Sequence, residues 1–430
     1  MRRVPRLVSA TGWICVCMVI ASPLFYLLME AFPSAIYWFG LYRVDHFATL
    51  QAFLPDDTLV YRNRPPSYFR IFNLRAANYS APQGVGVELR SIPYRFDADG
   101  FRNSARHELS DVVLLGDSMV EYGNSDADIL AARLERLSGL SVASFGVGGY
   151  GPFHYLELLK RYGLRKKPKY ALFCFYEEND LGDIAEYLKW KKEGRYYGFG
   201  ILSAGFWSRY RAAVKSATEY LRARIQRAID SPQPPKILPD IADLQLQNAH
   251  VQMLLLDKVS TESPEAMLKT EEWKNLRKIL IDFRDVARAH HIIPMIVFIP
   301  LAANIYAEYS TTASGENWLK VRDQQIAAQA NGEKAMIRLA REVNIELIDL
   351  TPAFRAKAKA GKVLYYTYDQ HWNSEGGETA AAVITEALIK NKNISPLGLS
   401  SQKVSATTAR DALRPIKLAV IRDAASAPVP

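Results

Sequence analysis

The chain has 430 residues, 49% hydrophobic and 23% charged, which excludes wholesale disorder and leaves enough apolar side chains for a full core with appendages. Of its three cysteines, Cys15 and Cys17 lie in an N-terminal apolar run and Cys174 stands alone in the body, so a disulfide framework and a Cys-based zinc site are excluded there. The net charge of +9 fits an acidic partner such as an anionic polysaccharide or a phospholipid surface, or a plain surplus of surface lysine and arginine.

Arg2, Arg3 and Arg6 precede Val8–Met29, a run of 22 residues without a charge. Such a run is long enough to span a bilayer as a helix. The basic flank before it, with Glu30 after it, predicts an N-terminus inside and a body outside. Residues 1–30 therefore read as a transmembrane signal anchor in an inner membrane, with a periplasmic body. Cleavage near Ala21 and Ser22 is the alternative, and it also exports the body.

Residues 31–110 form a juxtamembrane lead-in, rich in Pro and Tyr, without clear periodicity. After Asp111 the pattern changes. Apolar runs at Val112–Leu115, Val142–Phe145, Tyr170–Phe175, Ile293–Ile299 and Ile345–Leu350 read as strands. Amphipathic stretches near 126–137, 152–162, 270–290, 331–343 and 376–389 read as helices. The alternation predicts an α/β domain over 111–394, a doubly wound, flavodoxin-like parallel sheet of about five strands.

Residues 184–268 interrupt the alternation as an insertion. Its stretch 186–230 holds ten Lys or Arg against four Asp or Glu, interleaved with Trp190, Trp207 and other aromatics. It reads as a lid, a membrane-lying helix or a plain solvated excursion, followed by a turn rich in proline at Pro232, Pro234, Pro235 and Pro239. Nucleic acid is not an expected partner of an exported chain. Residues 395–430, rich in Ser, Ala and Pro, read as a flexible tail.

Four segments carry candidate chemistry. Gly116-Asp117-Ser118 leaves a buried strand through a glycine turn, which presents the serine at the C-terminal edge of the sheet. Phe145 to Gly151 follows the next strand, and its backbone N–H groups can face a developing negative charge. Its Gly146, Gly148 and Gly151 also have the spacing of a dinucleotide fingerprint, with Glu177 near the acidic position. Asn179 closes a third strand and either donates to an oxyanion or caps a helix. Last comes Tyr368-Asp369-Gln370-His371-Trp372, a loop in which a histidine beside an aspartate can serve as general base. Each segment alone also fits an ordinary turn, cap or surface loop.

Taken in order, the four segments resemble the blocks of the SGNH/GDSL hydrolase family, over roughly residues 95–390. Gly116-Asp117-Ser118 is similar to the first block, Gly149 to the second, Asn179 to the third, and Asp369 with His371 to the fifth. The lead-in Phe96 to Asn103, Ile299-Pro300 and Ile348 to Pro352 are family-like as well. Asp369 and His371 stand two residues apart rather than three, and Asp-Gln-His-Trp resembles the form of the alginate O-acetyltransferase-like branch. Ser144 stands where many relatives carry Asn.

The resemblance implies the SGNH hydrolase fold, a Ser118 nucleophile, a His371 base oriented by Asp369, and an oxyanion hole of Ser118, Gly149 and Asn179. It implies no metal and no cofactor. The expected activity is an esterase or O-acyltransferase acting on O-acyl groups of cell-envelope or secreted polysaccharide. Trp372, Trp190 and Trp207 are candidate stacking surfaces for the sugar, and exopolysaccharide-machinery proteins are expected partners. The competing classes are a non-catalytic polysaccharide-binding scaffold and a dinucleotide-binding oxidoreductase.

Overall fold

Five apolar runs pair in parallel: β1 (Val112–Gly116), β2 (Val142–Gly146), β3 (Tyr170–Tyr176), β4 (Ile293–Ile299) and β5 (Glu346–Asp349). Their order across the sheet is β5-β4-β3-β1-β2. Register is set on both sides of β1, where Leu115 lies opposite Phe145 of β2 and Phe173 of β3. Every residue of β1, β2 and β3 is buried, as strands covered by helices on both faces require. The order is that of a doubly wound sheet whose winding reverses between β1 and β3. The loops leaving those two strands part there and open a crevice.

The computed structural model describes residues 21–390 except 34, 37–38, 40, 42–44, 66, 73–90, 104–106, 195–201, 203, 230–240, 248, 256–260 and 368. The expected prolines of the insertion and the expected tail lie outside the described residues. So do the first twenty residues. No helix among the described residues is long and apolar enough to cross a membrane. The end of the expected span forms a helix over residues 21–31 with Tyr26 and Met29 buried, so that part packs against protein. The chain divides into Met1–Ala387 and Leu388–Pro430, and everything described below lies in the first unit.

Helices α1 (Ser118–Glu121), α2 (Leu130–Ser138), α3 (Pro152–Arg161), α4 (Asp180–Glu193), α5 (Phe206–Ile229), α6 (Glu271–Ala289) and α7 (Asn331–Glu342) follow in chain order. In α6, Trp273, Leu276, Leu280, Phe283 and Ala287 recur every three or four residues and all are buried. Phe283 meets Phe173 of β3 edge-on, with ring centroids 5.2 Å apart. Full burial of each large side chain in that row contributes roughly 1.5–3 kcal/mol.

Among the described residues, four antiparallel strand pairs fall where the sequence shows no period: Phe53–Asp56 with Val60–Asn63, Ser67–Phe72 with Ser91–Phe96, Ile241–Leu246 with Ala249–Leu254, and Tyr365–Tyr366 with Asp369–Trp372. Two belong to the lead-in, which shares the central core. Leu59, Val60, Tyr61 and Phe101 are buried in one cluster with Val113, Phe145 and Phe173.

Candidate active site

Gly116 ends β1 because nothing larger fits: a Cβ there would stand 2.3 Å from Cγ2 of Val120, on the helix that folds back over the strand. Asp117 then caps α1, its Oδ1 accepting the Met119 N–H at 2.8 Å. Ser118 is thereby held half-buried at the first position of α1, at the C-terminal edge of the sheet. Burial pushes the Asp117 carboxyl up to about 6.

The turn after β2 lies against this helix. A Cβ on Gly148 would be 3.6 Å from Cβ of Ser118. Gly149 takes φ +79°, a conformation that favours glycine. The fingerprint spacing of the glycines serves packing within the protein: a Cβ on Gly146 would meet Val120 and Glu121, and one on Gly151 would meet Asp183. Tyr61 from the lead-in braces the turn, its hydroxyl donating to the Gly148 carbonyl at 2.5 Å.

Asn179 follows β3 and starts α4. Its Nδ2 donates to Asp183 Oδ2 at 2.7 Å and to Asp117 Oδ2 at 3.2 Å, while its buried Oδ1 meets no hydrogen-bond partner. The two carboxylates fix which way the amide faces. An oxyanion that recruits this amide must therefore displace one of them.

His371 sits on the short strand Asp369–Trp372 and not in an open loop. Its Nδ1 lies 2.5 Å from Asp369 Oδ1, which leaves Nε2 as the ring's second nitrogen. The imidazole stacks on Tyr122 at 4.8 Å, and Tyr122 is the residue that ends the Ser118 helix. His371 also acts electrostatically on both Asp117 and Glu121. Ser118, the Gly148–Gly149 turn, Asn179, Asp369 and His371 thus converge on the crevice between the loops of β1, β2 and β3.

The hairpin of His371 is tied down by three hydrogen bonds, two to Leu254 and one from Tyr176. Gln370 Nε2 donates to the Leu254 carbonyl at 2.6 Å, the Leu254 N–H donates to the Thr367 carbonyl at 2.7 Å, and the Tyr176 hydroxyl donates to the Gln370 carbonyl at 3.0 Å. Leu254 belongs to the hairpin Ile241–Leu254, so part of the insertion supports the histidine strand.

Trp372 and Trp190 are placed otherwise than as sugar platforms at this crevice. Trp372 is buried, opposite Tyr365 and close above Gly376, so it packs the hairpin. Trp190 stands beside Tyr187 on α4. It is eleven residues past Asn179, about 16 Å at 1.5 Å per residue. Trp207 is exposed on α5, with Phe206 and Tyr210 as its ring neighbours.

Several site residues escaped the sequence reading. Glu121, buried on α1, accepts the Gly148 N–H at 2.7 Å and an Asn63 amide hydrogen at 3.3 Å. Burial pushes its carboxyl up to about 7. Arg102, fully buried, donates to the carbonyls of Glu121 and Gly123 and to Asp126. Asn103 accepts the Ser144 N–H at 2.7 Å and so fastens the lead-in to β2. The family-like stretch Phe96 to Asn103 was the available signal. Beyond Asn179, a cavity of about 190 Å³ is lined by Phe175, Glu177, Leu181, Trp273, Asn304 and Gln325. Burial pushes the Glu177 carboxyl up to about 7. Among the described residues no cluster of His, Cys, Asp and Glu is arranged to hold a metal ion.

Residues 254–426 match the family model of the SGNH hydrolase-like domain of acetyltransferase AlgX. This match spans less than half of the chain; it includes Asp369, His371 and Trp372 and excludes Ser118. It supports an acyl-group hydrolase or transferase. No curated protein matches the chain. Among solved structures, the acetyl xylan esterase AlAXEase is 13% identical, over 64% of this chain and 98% of that one, with a TM-score of 0.33. A lipase/acylhydrolase from Enterococcus faecalis is 12% identical, over 64% of this chain and 94% of that one, with a TM-score of 0.32. A member of the lipolytic protein G-D-S-L family from Veillonella parvula is 9% identical, over 65% and 98%, also with a TM-score of 0.32.

Proposed function

We propose that this chain is a serine esterase or O-acyltransferase that works through an acyl-enzyme on Ser118. The observation that carries the reading is the convergence of a helix-presented serine with an imidazole whose Nδ1 is held by a carboxylate at 2.5 Å. A histidine fixed in that way offers Nε2 as the base.

In this mechanism Nε2 of His371 takes the Ser118 hydroxyl proton as Oγ attacks the ester carbonyl carbon. The carbonyl electron pair moves onto oxygen and forms a tetrahedral oxyanion. The backbone N–H groups of Ser118 and Gly149, with the Asn179 amide, are the proposed donors; losing one costs roughly 3–4 kcal/mol of barrier. Collapse expels the alcohol, protonated by His371, and leaves the acyl group on Ser118. Water then completes hydrolysis, or a sugar hydroxyl completes transfer.

The proposed substrate is an O-acetyl or related O-acyl group on cell-envelope or secreted polysaccharide, met outside the cytoplasm by a body tethered at the N-terminus. Support comes from the uncharged run Val8–Met29, the match of residues 254–426 to an acetyltransferase domain model and the Asp-Gln-His-Trp segment. A second reading, a polysaccharide-binding protein without catalysis, is favoured by one observation: both amide hydrogens of Asn179 are held by carboxylates.

Labelling by a fluorophosphonate probe separates the two readings. The catalytic reading expects labelling that disappears in Ser118→Ala and in His371→Ala. A folded wild type that resists the probe, releases no acetate from acetylated polysaccharide and transfers none sinks it in favour of the binding reading.

A further inference from the structure

Helix α5 carries an exposed apolar row that no packing among the described residues explains. Trp207, Val214, Leu221 and Ile225 are all exposed, Trp207 at 63%. At 100° per residue these four fall within about 40° of arc. The adjoining arc is taken by Arg211, Arg222 and Lys215, all exposed. On its other edge the row adjoins the side of α5 that joins the core through Tyr210 and Ala213. Isolated apolar residues on a surface need no explanation, but a row of four beside a basic row does.

The neighbouring helix over residues 21–31 repeats the pattern. Tyr26 and Met29 are buried, whereas Leu24, Leu27 and Leu28 are exposed on its other side. Tyr210 joins the two helices through the buried side of the shorter one. Its hydroxyl lies 2.6 Å from that of Ser22, and its ring meets both Tyr26 and Trp207 at about 6 Å. Arg209 clamps the same junction by donating to Glu30 at 2.7 Å. The two helices are therefore fastened to each other, and each keeps an exposed apolar row.

We propose that the exposed row of α5, with the basic arc beside it, is a binding surface for an anionic lipid bilayer, with α5 lying in the plane of the interface and the exposed leucines of the adjoining helix meeting the same lipid. Three observations choose lipid over a protein groove. The apolar row is edged by cations, the signature of a helix at an anionic interface. Trp207 and Tyr210 are the residue types that favour the headgroup level. The helix over 21–31 also continues the uncharged run Val8–Met29 directly. The basic, aromatic part of the insertion then serves to seat the body on the membrane. This inference is independent of the serine chemistry.

The test uses the full chain with Cys15→Ser and Cys17→Ser, in which Cys174 is buried in β3 and inaccessible to label. A nitrobenzoxadiazole dye is placed at Leu221→Cys, Val214→Cys, Glu219→Cys or Lys274→Cys, and the protein is reconstituted in phosphatidylcholine vesicles with or without phosphatidylglycerol. Dye at 221 and 214 is expected to shift to the blue and to be quenched by doxyl lipids. Dye at 219, on the polar side of α5, and at 274, on α6, is expected to stay in water. Phosphatidylglycerol is expected to strengthen the shift, and reversing Arg211, Lys215 and Arg222 to Glu to cancel that gain. Aqueous emission at both 221 and 214 in either vesicle overturns the proposal. So does shielding that follows protein concentration and ignores lipid, which would assign the face to a second copy of the chain.

Discussion

The turn that carries Ser118 and the hairpin that carries His371 reach the same crevice from scaffolds of different stiffness. Ser118 leaves a strand hydrogen-bonded on both sides and fully buried, and Gly116 lets its helix close over that strand. His371 rides on a strand of four residues outside the main sheet, fastened by Gln370, Leu254 and Tyr176. A position set by sheet backbone moves only when the domain opens. A position set by a few side-chain and turn hydrogen bonds opens at a lower free energy. Preorganisation of His371, the proposed base, therefore depends on the insertion hairpin, which lies more than a hundred residues before it in sequence.

The largest expected effect tests whether both halves act on one reaction. Ser118→Ala should lower ester turnover by roughly 10⁴-fold or more, and Asp369→Asn by about 10⁴-fold through the wrong imidazole tautomer. Both variants should keep wild-type unfolding midpoints, as read by denaturant titration. A much smaller loss in Asp369→Asn would mean that the carboxylate does not orient the base.

Gly116→Ala strikes the stiff half. Its Cβ would press into Val120 and Cys174, so we expect about 1–3 kcal/mol of lost stability. Gln370→Ala strikes the other half. Loss of the bond to the Leu254 carbonyl should cost about 1–2 kcal/mol, with hydrogen exchange accelerated in 365–372 and unchanged in β1. Its signature is a fall in kcat, about tenfold, with KM nearly constant. Equal acceleration of exchange in both regions would erase the distinction drawn here.

The smallest effect concerns pH. Glu121 has its folded pKa raised from 4.5 to about 7 by burial, so the folded state holds its proton more tightly than the unfolded chain. Its contribution to stability is full below about pH 4.5 and is lost as pH rises through about 7. Glu121→Gln keeps an acceptor for the Gly148 N–H and should flatten that decline, which urea titrations at acidic and mildly alkaline pH would read. An unchanged slope would place the titration on other carboxyls such as Asp117.

The parallel sheet was legible because four of its five strands are almost wholly apolar, a pattern that helices on both faces impose, while the edge strand Glu346–Asp349 carries a carboxylate at each end. The serine turn was legible for a related reason: a glycine, a capping aspartate and a serine adjoin at a strand end, so the local chain order is the geometry. Lead-in hairpins and the histidine strand were not legible, since strands of two to six residues leave too few positions for a period to show.

What the sequence determined by itself was local: the strands, the glycine turn and the pairing of Asp369 with His371, each set by neighbours a few residues apart. Tertiary structure alone decided the rest. It bound Asn179 between two carboxylates, buried Trp372, brought Asn63 and Arg102 under α1, and joined Leu254 to Thr367. Apart from Asn179 to Asp183, four residues apart, those hydrogen bonds link residues far apart in the chain, and they form because buried donors and acceptors must be satisfied wherever the fold brings them together.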